Sequence, residues 1–276
     1  MTAASFLKVN WRYNFLGIAP SPKPPPLPVV TQRSQSMKNL KNLNNPDYLH
    51  KEHPKTCAAD DFWGQVSRTV GGVPVTEQQI NMIVEAITNG LGFTSNDSLL
   101  DIGCGNGALS HYYFNKIRHY LGVDFSPYLI DIAKTNFMSA PTHTFLEMDA
   151  ISYMESENNP TRFNKLLCYG AFAYLSPSDA EALLEGIAKK FSNIDLIYIG
   201  NLPDRNRANH FFYSEKDYSD GMLRNHQTPI GIWRSKEEFT LMANKFGWHA
   251  EFYTMSSSFY SAHYRYDAIL TRNTSL

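Results

Sequence analysis

The stretch Leu99-Leu100-Asp101-Ile102-Gly103-Cys104-Gly105-Asn106-Gly107 constrains the fold of this chain more than any other. Leu99, Leu100 and Ile102 form the short apolar run of a central parallel strand, which is buried on both faces. Three alternating glycines then let the backbone turn sharply and approach a ligand closely. Ala108, Leu109, Tyr113 and Ile117 keep near-helical apolar spacing, which predicts a helix running to about His119. The glycines thus lie where the carboxyl end of a strand meets the amino end of a helix, the ligand crevice of open α/β sheets.

The flanking sequence repeats that unit. Thr76 with Gln79 three residues on reads as a capping box, opening a helix whose Ile80, Ile83, Val84, Ile87 and Leu91 share one face and which ends at Gly90 or Gly92. Strands are predicted at 98–102, 120–124, 143–148, 164–169 and 195–200, with helices opening at Pro127 and at the Ser176 cap. Such alternation implies right-handed crossovers and a parallel sheet covered on both faces. A helix capped by Ser235 and Glu238 stops at Gly247, and strands 248–255 and 263–271 follow with only a Ser-rich turn between them. So short a connection forces an antiparallel hairpin. The fold class is therefore α/β: a doubly wound, mostly parallel seven-stranded sheet with an antiparallel C-terminal hairpin.

Three regions are expected. Residues 1–36 form a proline-rich tail, extended through Pro20 to Pro28, with the folded body beginning between Met37 and Tyr48. Residues 37–97 form a helical cap or flap, and 98–276 form the core with a lid insertion at about 202–234. The net charge of −1 and the scattered basic residues give no footprint for a nucleic-acid backbone, so a small-molecule partner is expected and no nucleic acid. Cys57, Cys104 and Cys168 are odd in number and widely spaced, which argues against a disulfide framework and a Cys-x-x-Cys zinc site. No apolar run reaches the ~20 residues of a membrane span, and Lys8, Asn10, Arg12 and Asn14 interrupt the only candidate address segment. A cytoplasmic setting without membrane contact is the expectation.

Gly103 to Ala108 formally matches the dinucleotide fingerprint G-x-G-x-x-G/A, with Asp124 about twenty residues on as a ribose ligand. Three features favour S-adenosylmethionine over NAD. Asp101 stands where a diphosphate would be repelled but ammonium and sulfonium charges welcomed. Asp149 follows the third strand, able to accept from an adenine amino group, and the closing hairpin is the third feature. With these residues the chain resembles the class I S-adenosylmethionine-dependent methyltransferases from about residue 76 to its end. The resemblance implies that Leu99 to Gly107, with Asp101, Gly103, Cys104, Gly105 and Asn106, borders the methionine part of the cofactor. It also implies that Asp124 holds the ribose hydroxyls, that Phe125 packs near the adenine, and that Asp149 and the Ala150 backbone meet the adenine edge. Tyr169 and Gly170, at the end of the fourth strand, fall near the cofactor's amino group and reacting methyl. Read singly, Asp101 and Asp124 could instead cap the helices that follow them, and Cys104 could merely fill tight space.

The acceptor is less legible. Between the fifth strand and the next helix lie His210, Phe211, Phe212, Tyr213, Tyr218, His226 and Trp233, an aromatic set suited to a lid over a small, partly apolar molecule. His210 and His226 are candidate general bases, with Tyr174 as rival. Ala171 to Leu175 lacks both the histidine pair many relatives carry there and an Asn-Pro-Pro-Tyr type signature, which disfavours nucleobase or glutamine amino groups. No acidic cluster suggests a catechol-type Mg²⁺ site, so no metal is expected. Phe62 to Val70 reads as a flap in which Trp63 and Arg68 meet the acceptor or a carboxylate, or else pack as a core plug and a surface pair. The expected activity is methyl transfer to a small-molecule acceptor, on oxygen first. The alternatives are an NAD-dependent oxidoreductase and a methyltransferase-like binding protein without turnover.

Overall fold

The computed structural model describes residues 48–212 and 214–273. The proline-rich tail, Met37 and Tyr213 lie outside the described residues. Seven strands form the main sheet: β1 (Ser98–Ile102), β2 (His119–Asp124), β3 (His143–Glu147), β4 (Lys165–Tyr169), β5 (Leu196–Pro203), β6 (Trp248–Tyr253) and β7 (Arg265–Arg272). Their spatial order is β3-β2-β1-β4-β5-β7-β6. The first five run parallel, while β7 lies antiparallel between β5 and β6. The order reverses between β1 and β4, so the switch-point crevice opens at their carboxyl ends, where Gly103 and Gly170 stand.

Period-two alternation sorts β1 between two cores. Leu100 and Ile102 pack with α3 (Ala150–Ser156), α4 (Pro177–Lys190) and α5 (Lys236–Lys245) through Met154, Leu183, Leu184, Ile187 and Phe239. Leu99 packs on the opposite side with Ile80, Ile83 and Ile87 of α1 (Glu77–Leu91) and Ile130 of α2 (Pro127–Phe137). Each of these fully buried aliphatic side chains contributes roughly 1.5–3 kcal/mol. Asp101 shares the face of Leu99, and that placement puts a carboxylate under the α1 layer.

Caps behave unevenly. Ser176 accepts from the Asp179 amide at 3.1 Å, and Ser235 with Glu238 forms a complete capping box. Thr76 makes no side-chain cap. Gln79 is drawn away, donating to the Ser258 carbonyl at 3.1 Å and accepting from the Tyr260 amide at 2.8 Å, so it ties α1 to the loop before β7. The helix expected after the glycine turn is a 3₁₀ segment, Ser110–Lys116. Its Ser-His-Tyr-Tyr-Phe-Asn run consists of weak helix formers, and the Ser110 hydroxyl is committed to Asp101 at 2.5 Å. β5 extends three residues further than expected, to Pro203, and carries a register irregularity between Ile199 and Leu202. The connection between β6 and β7 is longer than a tight turn and buries Phe259 and Ala262. Beyond β5, short helical pieces at Arg205–Arg207, Ala208–Phe211, Glu215–Asp217 and Asp220–Leu223 pack around Trp233 and Tyr264, and form the insertion.

Candidate active site

A cleft of about 1540 Å³ opens at the carboxyl ends of β1 and β4. Its floor is the glycine turn. Gly103 sits at φ 74°, and a Cβ there would stand 2.2 Å from the Ala171 Cβ, so only glycine lets the turn lie against the loop after β4. Cys104 fills space over Gly122 of β2, where an added Cβ would meet its Sγ at 2.8 Å. Burial pushes its thiol well above the ordinary range, which suits a packing residue rather than a nucleophile. Asn106, fully buried, donates to the Phe62 carbonyl at 2.8 Å and to the Gln65 side chain at 2.9 Å. It locks the flap 62–65 onto the turn.

Asp101 is 3% exposed and lines this cleft. It accepts from Ser110 at 2.5 Å and from the Tyr120 hydroxyl at 2.9 Å. Burial nonetheless dominates these hydrogen bonds and pushes its pKa up to about 6. A carboxylate so placed is best relieved by a neighbouring cation. Across the cleft, the Arg68 guanidinium lies 5.4 Å from the ring centroids of both Trp63 and Tyr169. It forms no ion pair among the described residues, and its charge reaches Asp101 and faces the cleft.

The expected cofactor residues divide into two groups. Asp101, Gly103, Cys104, Gly105, Asn106, Tyr169 and Gly170 line one cleft. Asp124, Phe125, Asp149 and Ala150 do not. Asp124 accepts from the Gly105 and Ser126 amides, each at 2.9 Å, and so braces the glycine turn from below. Asp149 is the N-cap of α3, accepting from the Ile151 and Ser152 amides, while Ala150 begins that helix. Phe125 is covered by the segment Tyr48–Glu52, with His50 at 5.9 Å between ring centroids and Lys51 at 4.8 Å. Leu49 and His50 of that segment line the cleft in its place.

Among the candidate bases, His210 lines the cleft and His226 does not. His210 Nδ1 lies 3.1 Å from the His263 carbonyl, an acceptor only, so Nδ1 carries the proton and Nε2 keeps its lone pair. The Tyr174 hydroxyl lines the cleft but donates to the Pro229 carbonyl at 2.8 Å, and burial pushes its pKa up to about 12. It stays protonated at neutral pH and is poorly placed to act as base. Sequence reasoning missed Asn201, Tyr260, His263, Tyr264 and Arg265, all of which line the cleft. The run Tyr260-Ser261-Ala262-His263-Tyr264-Arg265, dense in polar aromatics beside a turn, was the available signal. Burial, followed by the charges of His210 and Arg265, holds the His263 pKa below the ordinary histidine value.

Residues 99–191 match the family model of a methyltransferase domain. That stretch runs from β1 to the end of α4, and over it the chain is similar to a methyltransferase domain. The magnesium protoporphyrin IX methyltransferase of Synechocystis, solved with S-adenosylhomocysteine, is similar at 15% identity and a TM-score of 0.51, over 71% of this chain and 82% of that one. The small RNA methyltransferase HEN1 is similar at 18% identity and a TM-score of 0.53, over 73% of this chain and 26% of that one. The DhpI–SAM–HEP complex gives 13% identity and a TM-score of 0.52, over 88% and 96% of the two chains. At these identities the likeness speaks for the fold. No curated protein matches the chain. Among the described residues no helix is long and apolar enough to cross a membrane.

Proposed function

We propose that this methyltransferase domain binds S-adenosylmethionine in the cleft and transfers its methyl group to an oxygen of a small molecule. The observation that carries the reading is the opposed pair Asp101 and Arg68. A buried carboxylate with a raised pKa faces the cleft beside the glycine turn, and a guanidinium that forms no ion pair among the described residues lies on the flap within electrostatic range of it. An α-amino acid group offers the complementary charges, an ammonium for Asp101 and a carboxylate for Arg68. A diphosphate of NAD offers Asp101 only repulsion, which disfavours the oxidoreductase alternative. Gly103, Gly105 and Gly170 let the backbone lie close to a ligand, and Asp124 keeps the turn rigid. The ribose and adenine are expected towards Phe125, Asp149 and Ala150, beneath the segment Tyr48–Glu52.

When bound, the cofactor supplies a methyl on a sulfonium, open to in-line displacement. The chain aligns the acceptor, excludes water and removes one proton. Phe211, Phe212, Ile230 and Tyr264 make the insertion's inner wall apolar. His210, held by its Nδ1 proton on the His263 carbonyl, offers Nε2 to the acceptor hydroxyl. The intact cleft argues against the alternative of a binding protein without turnover. Calorimetric titration with S-adenosylmethionine, S-adenosylhomocysteine and NAD tests the cofactor. Binding of the first two without NAD is expected, and NAD binding alone would end this reading.

A further inference from the structure

A second guanidinium in the cleft is left over by this cofactor assignment, and we infer that Arg265 receives an anionic group, a carboxylate or phosphate, carried by the methyl acceptor. The inference rests on the cofactor reading above, in which Arg68 is committed to the cofactor's own carboxylate. Arg265 opens β7, half-buried, at the cleft wall formed by Tyr174, Asn201, Tyr260 and Tyr264. Its guanidinium donates to the Asn201 carbonyl and lies 4.8 Å from the Tyr264 ring. No carboxylate comes within ion-pair distance of it among the described residues. Asp267, two residues along the same strand, has both oxygens engaged, by the Tyr198 hydroxyl and by the Asn201 amide, each at 2.7 Å. Asp217, the other acidic group on this side of the cleft, is exposed on the insertion. One guanidinium donor is spent on a backbone carbonyl and the Tyr264 side chain is a further partner, which leaves the rest of the planar fork for a ligand.

Asn201 supplies an independent sign. It holds φ at 65°, a left-handed value that asparagine adopts more readily than other residues with a Cβ, at the irregular stretch of β5. Its amide oxygen is buried without a partner, and its nitrogen stands 3.5 Å from where a Cβ on Gly170 would lie. That turn delivers a carbonyl that orients Arg265, and an unpartnered side-chain oxygen that would take a donor group of the methyl acceptor rather than its anionic group. Tyr260 lines the same cleft within electrostatic range of both Arg68 and Arg265. Among the described residues two guanidiniums and no lysine line the cleft, which suits one anionic group on a small molecule better than the repeating phosphates of RNA.

The test titrates the S-adenosylhomocysteine complex by calorimetry with matched pairs, benzoate against benzamide and phenyl phosphate against phenol, and with a short single-stranded RNA. At least one anion is expected to bind ten times or more tighter than its neutral partner, which also distinguishes carboxylate from phosphate. Arg265→Gln should abolish that preference while S-adenosylhomocysteine affinity is unchanged, and Arg265→Lys should restore part of it. Equal binding of anion and neutral partner, an anion preference that survives Arg265→Gln, or binding of the RNA alone would overturn the inference. Failure to bind S-adenosylhomocysteine would instead sink the cofactor reading, and the same titration of the protein alone still reads the anion preference.

Discussion

Asp101→Asn should stabilise the free protein at neutral pH relative to acid while weakening its hold on a cationic cofactor. The carboxyl is buried, and its pKa is pushed up to about 6 from an ordinary 3.8, chiefly by loss of solvent. At 1.36 kcal/mol per unit, the rise from 3.8 to about 6 is worth about 3 kcal/mol. The sign follows from proton counts. Between pH 4 and pH 6 the folded protein binds more protons at this site than the unfolded chain, so stability from this group falls as pH rises. Asparagine keeps an acceptor for Ser110 and Tyr120 but does not titrate. Urea unfolding of both proteins at pH 4 and pH 7 cancels every other acid. The stability difference between variant and parent should shift by about 2–3 kcal/mol in favour of the variant on going to pH 7. Calorimetry with S-adenosylmethionine at pH 7.5 should show at least a tenfold loss of affinity. A stability difference independent of pH would refute the buried-carboxylate argument, and unchanged affinity would refute its role towards the cofactor.

Gly103→Ala combines a left-handed φ with a Cβ only 2.2 Å from that of Ala171, and urea unfolding should show a loss of roughly 2–4 kcal/mol. His210→Ala should lower kcat by about 10²–10⁴ at unchanged S-adenosylhomocysteine affinity, whereas Tyr174→Phe should change kcat little. A collapse of kcat in Tyr174→Phe would reverse those roles. Arg272 donates to the carbonyls of Ala188, Phe191 and Ile194 around the end of α4 and lies 4.6 Å from the Trp248 ring. Arg272→Ala should cost about 2–3 kcal/mol in urea unfolding and leave ligand affinity intact, since the residue is remote from the cleft.

The sheet was legible because its information is local. β1, β2, β4 and β5 announce themselves as apolar runs closed by an aspartate or a glycine, and the hairpin follows from the lack of a helical pattern between β6 and β7, although their link is longer than a tight turn. The helix after the glycine turn was misread because spacing alone cannot weigh the pull of Asp101 on Ser110 against a weak helical sequence. Likewise Thr76 and Gln79 carry a valid capping pattern, but the Ser258 carbonyl and Tyr260 amide, about 180 residues away, compete for the glutamine and win.

The half of the cleft proposed for the cofactor was legible as a cleft for the same reason, since Asp101 to Asn106 and Tyr169 to Gly170 are read from single strand ends. The acceptor half is assembled from pieces far apart in sequence. Asn201 reaches it through an irregular strand, His210 through the insertion, and His263 and Arg265 through the loop that Gln79 anchors. None of those residues has a local pattern that marks it, and the ion pair that Arg265 lacks is visible only once Asp267 is seen bound to Tyr198 and Asn201. A turn that must shape its own backbone around a shared cofactor writes its constraint into adjacent residues. A pocket that selects one acceptor writes its constraint into distances, and the decisive one is that no carboxylate among the described residues comes within ion-pair distance of Arg265.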